Sequence, residues 1–193
     1  LWGILAVVAY LKETGDLDFL KQQAPYYEKD RQEQPIETGS VWQHLKRGIQ
    51  FTHDHTGAHG LPLLGFADWN DTVNLPQGAE SLFTAHLYGR ALQELISLAR
   101  LLEKEKVVKK YRGYHGEMKQ RVNDVSWDGD WYIRYFDSNG QPIGSQKNAQ
   151  GQIYTNAQSW AVLSGFASKK RARKALDAVH AKRKTGYGIK LIT

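Results

Sequence analysis

A chain of 193 residues, 41% hydrophobic and 24% charged, is long enough to bury a core and too apolar for intrinsic disorder. It has no cysteine, which excludes a disulfide scaffold, a thiolate metal site and a cysteine nucleophile. The net charge of +6 invites a nucleic-acid partner, yet eight basic residues and one acid fall between Ser168 and Lys184, leaving 18 basic and 19 acidic residues elsewhere. One helix face carries the whole excess. A solvated surface is the first reading and a polyanion-binding face the second, so no nucleic-acid partner is expected.

The apolar start, Leu1 to Leu11, is shorter than the roughly 20 residues of a membrane span. No basic leader precedes it, so neither a membrane anchor nor a signal peptide is expected, and a cytoplasmic location is. The chain lacks an initiator Met and opens mid-pattern. It reads as one partial domain over 1–193, incomplete at both ends.

Helical periodicity dominates. A mostly buried helix is expected over 2–14, closed by Gly15. Turns through Pro25 and Pro35 lead to Ser40, an N-cap for a helix over 41–53 with Trp42, Leu45, Ile49 and His53 along one side. From 52 to 78 the glycines 57, 60, 65 and 78, with Pro62 and Pro76, rule out one helix. A loop this long in a compact domain is usually functional. A third helix, rich in small and apolar residues, is expected over 80–102, and a more polar fourth over 106–125. Trp131 to Phe136, followed by Asp137-Ser138-Asn139-Gly140, predicts a hairpin. Asn156 should cap an apolar helix over 157–167, and a basic amphipathic helix should follow over 169–182.

Apolar and polar helices thus alternate three times, which makes the fold mainly all-α. Apolar helices would pack inside and polar ones outside, as three pairs of a six-pair toroid; an independent three-pair solenoid is the alternative. The irregular inserts precede the third and fifth helices. At one end of successive inner helices they would build a pocket.

The loop Asp68-Trp69-Asn70-Asp71 carries the chemistry of greatest interest. An indole offers an apolar face to the C–H side of a pyranose. Carboxylates and amides pair with hydroxyls, and a carboxylic acid can protonate a glycosidic oxygen. A turn capped by its own Asp and Asn side chains is the competing reading, most of all for Asp68. His53, His55 and His59 with Asp54 loosely resemble a metal site, but the spacing is not that of a defined ligand set, and no metal is expected. Trp127, Trp131, Tyr132 and Tyr135 read equally as a sugar platform or as a hairpin packed on helices. Gln158 opens the fifth helix, where a polar side chain would face the same rim.

These residues carry a family resemblance. Gly60-Leu61-Pro62, Ala67 through Asp71, Asn74, Gly78-Ala79-Glu80-Ser81, Trp127 through Arg134, Gly144-Ser145, Ala157 through Val162 and Tyr187-Gly188-Ile189 occur in the order found in inverting β-glycoside phosphorylases. The chain resembles those typified by cellobiose and chitobiose phosphorylases, and the related domain of cyclic β-1,2-glucan synthases. The resemblance implies part of an (α/α)6 barrel. It also implies phosphorolysis of a β-linked glucoside or related oligosaccharide, with inversion, to an α-sugar 1-phosphate. It makes Asp71 the general acid and Trp69 a donor-sugar wall; the residues themselves offer Asn70, Asp68 and Gln158 as further candidate sugar contacts. No cofactor is implied beyond inorganic phosphate as co-substrate, and a homodimer is the expectation for the full-length protein. Phosphate ligands would come mainly from segments outside this chain, so the chain alone should be inactive. Thr72-Val73 stand where the family often has Cys-Leu, which bears on linkage and acceptor rather than on Asp71. An inverting hydrolase on the same barrel, a non-catalytic glycan-binding domain and a polyanion-binding module remain the alternatives.

Overall fold

The structure, a computed structural model, describes residues 1–65, 68–70 and 73–191. Among these the elements run α1 (Trp2–Thr14), β1 (Gln23–Pro25), β2 (Thr38–Ser40), α2 (Val41–Asp54), β3 (Glu80–Ser81), α3 (Leu82–Leu101), α4 (Glu105–Val125), β4 (Tyr135–Phe136), β5 (Pro142–Ile143), α5 (Thr155–Leu163), α6 (Lys169–Arg183), β6 (Lys184–Thr185) and β7 (Gly188–Ile189). A 3-10 turn at Leu17–Lys21 follows α1.

Helix α3 is the centre of the molecule because its sequence is apolar or small on most sides, with a polar stripe at Arg90, Gln93, Ser97 and Arg100. Leu82, Ala85, Tyr88, Ala91, Leu92, Leu95 and Ala99 are all fully buried. Close approach depends on Gly89, where an added Cβ would lie 2.4 Å from Cζ of Phe166. The rings of Trp2 and Phe83 meet at 6.3 Å; further along both helices, Lys12 pairs with Glu94 at 2.5 Å. Contacts that advance together along both helices make α1 and α3 parallel. On the other flank Phe83 meets Trp160 at 5.3 Å and Gln93 donates to the Ser164 carbonyl at 2.7 Å, so α5 runs parallel as well. A short turn with Glu103 at φ 55° reverses the chain into α4. Helices α1, α3 and α5 thus form an inner row, with α2, α4 and α6 outside, in the arrangement of part of an (α/α)6 barrel.

Local signals set most boundaries. Ser40 and Gln43 form a reciprocal capping box at the start of α2, and Gly15, at φ 70°, ends α1 by donating to the Leu11 carbonyl. Several expectations are corrected. Helix α1 is buried only along Ile4, Val8 and Leu11; it lies at the flank of the row, and Trp2 and Tyr10 are half-exposed. Helix α3 starts at Leu82, because Glu80 and Ser81 are extended and pair antiparallel with Phe136 and Tyr135. The predicted hairpin β4–β5 therefore grows to three strands. Helix α5 is capped at Tyr154 and ends at Leu163, before Gly165 at φ 70°. Asn156 does not cap it: the Thr155 N–H is already taken by the Leu191 carbonyl, and Asn156 sits inside the first turn. The β1–β2 and β6–β7 ladders were not foreseen, being only two or three residue pairs each. Among the described residues no helix is long and apolar enough to cross a membrane.

Candidate active site

The β3–β4–β5 sheet gathers the two inserts at the N-terminal end of α3. There Glu80, 1% exposed, accepts hydrogen bonds from the backbone N–H groups of His59 and Leu61 and from the His59 ring at 2.5 Å. The N–H of Leu64 donates to the Ala79 carbonyl at 2.8 Å. These bonds tie the loop after α2 to the start of α3.

Asp68 and Arg134 form a buried ion pair, each side chain 1% exposed. Asp68 also accepts from the Trp69 N–H at 2.6 Å. The Arg134 guanidinium donates a second bond to Ser81 Oγ at 3.2 Å and lies over the rings of Tyr135 and Phe83, at 4.0 and 5.2 Å. Ser81 Oγ in turn accepts the Thr84 N–H at 3.1 Å as the N-cap of α3. The Asn70 carbonyl accepts from the Val73 N–H at 2.9 Å. Burial pushes the Tyr135 phenol up, and the Asp68 carboxylate beside it pushes the same way.

Trp69 stands out from this anchored base. It is 46% exposed and leans on buried Phe83 at 6.1 Å. It borders an open cleft of about 580 Å³ whose walls include Leu1, Trp2, Thr52, Asp68 and Phe83. An exposed indole over a polar base can stack on a sugar ring while hydroxyls are met from the side. Asp71, the expected proton donor, lies outside the described residues.

Other expected site residues are placed elsewhere. Gln158 does not face the rim. It is fully buried, accepting from the Tyr132 N–H at 2.8 Å and donating to the Tyr132 and Tyr154 carbonyls. It acts as a short strand edge that locks α5 to the segment before β4. Trp131, Tyr132 and Tyr135 are also buried and form no exposed platform; Trp131 Nε1 donates to the Gly144 and Gln152 carbonyls. The histidines go three ways. His53 stacks on Tyr114 at 3.5 Å, His55 bonds the Phe51 carbonyl and His59 binds Glu80. Among the described residues no three His, Cys, Asp or Glu side chains are gathered for a metal.

The basic helix is only partly a solvated face. Arg171 donates to Asn123 and covers the Trp127 ring, Lys174 pairs with Asp130 at 2.7 Å, Lys182 lies over Trp131 and Arg183 is 7% exposed. The role of Arg134 was missed at the sequence level. An arginine inside the aromatic run Trp131–Phe136 was the available signal, since a buried charge demands a partner.

A family model, "Glycosyl hydrolase 94 superfamily, catalytic domain", matches residues 1–193. The chain belongs to this family. Among its glycosyl hydrolase 94 relatives, the solabiose phosphorylase of Paenibacillus borealis is 37% identical over 97% of this chain and 24% of the relative. The N,N'-diacetylchitobiose phosphorylase of Vibrio proteolyticus is 35% identical over 99% of this chain and 23% of the relative. A cyclic β-(1,2)-glucan synthase of Rhizobium meliloti is 31% identical over 93% of the chain and 7% of its own length. This glycosyl hydrolase 94 chain thus spans about a quarter, or less, of the relatives it matches. In fold it is similar to a family 78 rhamnosidase of Bacillus sp. GL1, with a TM-score of 0.66 at 19% identity over 93% of this chain and 17% of that one. A rhamnose-bound rhamnosidase from Klebsiella oxytoca gives 0.62 at 18% identity over 93% and 29%.

Proposed function

We propose that the protein containing this chain is a glycoside phosphorylase. It cleaves a β-linked glucoside or related oligosaccharide with inorganic phosphate, inverting the anomeric centre to give an α-sugar 1-phosphate. The observation that carries this reading is Trp69, half-exposed in the cleft on a base fixed by buried Asp68, within a chain that matches the glycosyl hydrolase 94 catalytic domain from end to end. Two of the relatives quoted above are named as phosphorylases, of solabiose and of N,N'-diacetylchitobiose.

In this reading Trp69 stacks on the donor sugar and Asp71 protonates the glycosidic oxygen as the bond breaks. Phosphate attacks the anomeric carbon from the opposite face. A hydrolase that inverts needs a second carboxylate to activate water, roughly 6.5–9.5 Å from the acid. Phosphate is already an anion and needs no such base. The partners are then a β-linked oligosaccharide and phosphate.

The test is sugar release by the complete protein with and without phosphate. Release that depends on phosphate, with an α-sugar 1-phosphate among the products, supports the proposal. Release indifferent to phosphate overturns it in favour of a hydrolase.

A further inference from the structure

The Arg134 guanidinium touches every part of the base beneath Trp69. One arm pairs with Asp68, whose other oxygen holds the Trp69 N–H. A second arm reaches Ser81, the cap of the helix that carries Phe83. Its flat face lies over Phe83, the ring on which Trp69 rests, with Tyr135 at 4.0 Å. A planar fork that bonds two acceptors and stacks on rings is a task lysine cannot reproduce. The pair is also buried, and a buried ion pair is costly to assemble, so it contributes little net stability over an apolar filling. Its geometry, by contrast, is sharply defined.

We infer that Arg134 is a positioning residue for the reaction: through Asp68 it sets the orientation of Trp69 and anchors the chain three residues before Asp71 in the sequence. This inference rests on the phosphorylase reading above. Arg134 touches no reacting atom. It acts by holding Asp68 and Trp69 against the N-terminus of α3; in the sequence Asp71 follows Asp68 by three residues. Small misplacements of reacting groups are costly in rate: about 1 Å can cost roughly a hundredfold.

The experiment uses Arg134→Lys, Asp68→Asn and the double variant in the complete protein. Phosphorolysis is assayed well below each variant's melting temperature, with folding checked by circular dichroism. The expected result is a fall in kcat of at least about tenfold for each single variant. The double variant should be no worse than the weaker single, because both break the same link. The inference is overturned if Arg134→Lys melts earlier but keeps wild-type kcat and KM, since the pair would then be structural only. Effects that multiply in the double variant also overturn it. Should Arg134→Lys fail to fold, Asp68→Asn decides alone: unchanged kcat sinks the idea. A wild-type protein without phosphate-dependent activity counts against the phosphorylase reading instead.

Discussion

Glu80 and Gly57 occupy the same small space: a Cβ at position 57 would sit 2.5 Å from Glu80 Cγ. The absent side chain lets the loop fold over the carboxylate and aim the His59 and Leu61 N–H groups at it. Gly57→Ala should therefore be destabilising by about 1–3 kcal/mol, the usual cost of overpacking. Glu80→Gln should cost a similar amount, because one of the two oxygens shared by the His59 ring and the His59 and Leu61 N–H groups becomes a donor. Denaturant midpoints of the complete protein measure both. A midpoint unchanged in Gly57→Ala would mean that the loop does not need this contact.

In the proposed mechanism Asp71 is the general acid. Asp71→Asn removes the proton but keeps the shape. Turnover should fall by roughly 10²–10⁴, the usual contribution of a positioned general acid. A substrate whose leaving group needs no protonation, such as an activated aryl glycoside, should recover much of the loss. Normal turnover on the natural linkage would remove Asp71 from the role.

Trp69 is expected to act in binding. Trp69→Ala should raise KM for the sugar about three- to tenfold, in line with about 0.5–1.5 kcal/mol for an aromatic contact. Trp69→Phe should restore part of the affinity. Sugar titration followed by tryptophan fluorescence supplies an independent reading. A KM unaffected in Trp69→Ala would exclude the indole as a sugar wall.

Gln158 separates two roles that the sequence left together. Its amide is spent on Tyr132 and Tyr154, so Gln158→Ala should cost about 1–3 kcal/mol through unpaired backbone groups. The folded fraction should keep its KM for sugar. A raised KM with unchanged stability would return Gln158 to the rim.

The sequence made the helices legible through apolar patterning and, at Ser40 and Gly15, recognisable ends, whereas the start of α3 and both ends of α5 were misjudged. The motif around Trp69 stood out as a loop that packs carboxylates, an indole and amides together, and the structure places its indole half-exposed at a cleft. The partner of Asp68 was not, since Arg134 lies 66 residues away and only folding brings the two together. Gln158 misled for a related reason. A polar side chain at a helix start looks solvent-facing until the strand-like segment it bonds is in place. The Glu80–Ser81 strand was invisible because two residues carry no period, and their pairing depends on a hairpin far along the chain.

His86 provides a pH-dependent prediction. It is wholly buried in α3, between the rings of Tyr132 and Phe166, with Ser164 Oγ 3.3 Å from Nδ1 and no partner for Nε2 among the described residues. Burial, helped by the nearby Arg134 charge, pushes its ring down to about 3 from the ordinary 6.5. The folded protein therefore holds a neutral ring where the unfolded chain would take up a proton. Stability from this site is complete above about 6.5 and is lost as the pH falls from there toward about 3, by at most about 1.4 kcal/mol per pH unit. His53 and His115 are also pushed down by burial and add to the acid sensitivity, so the informative quantity is a difference. His86→Leu removes the titrating ring while preserving an apolar filling. Its melting temperature should fall less steeply than that of the parent between pH 6.5 and 4. Parallel profiles for the two proteins would show that His86 titrates normally in the fold, contrary to its burial.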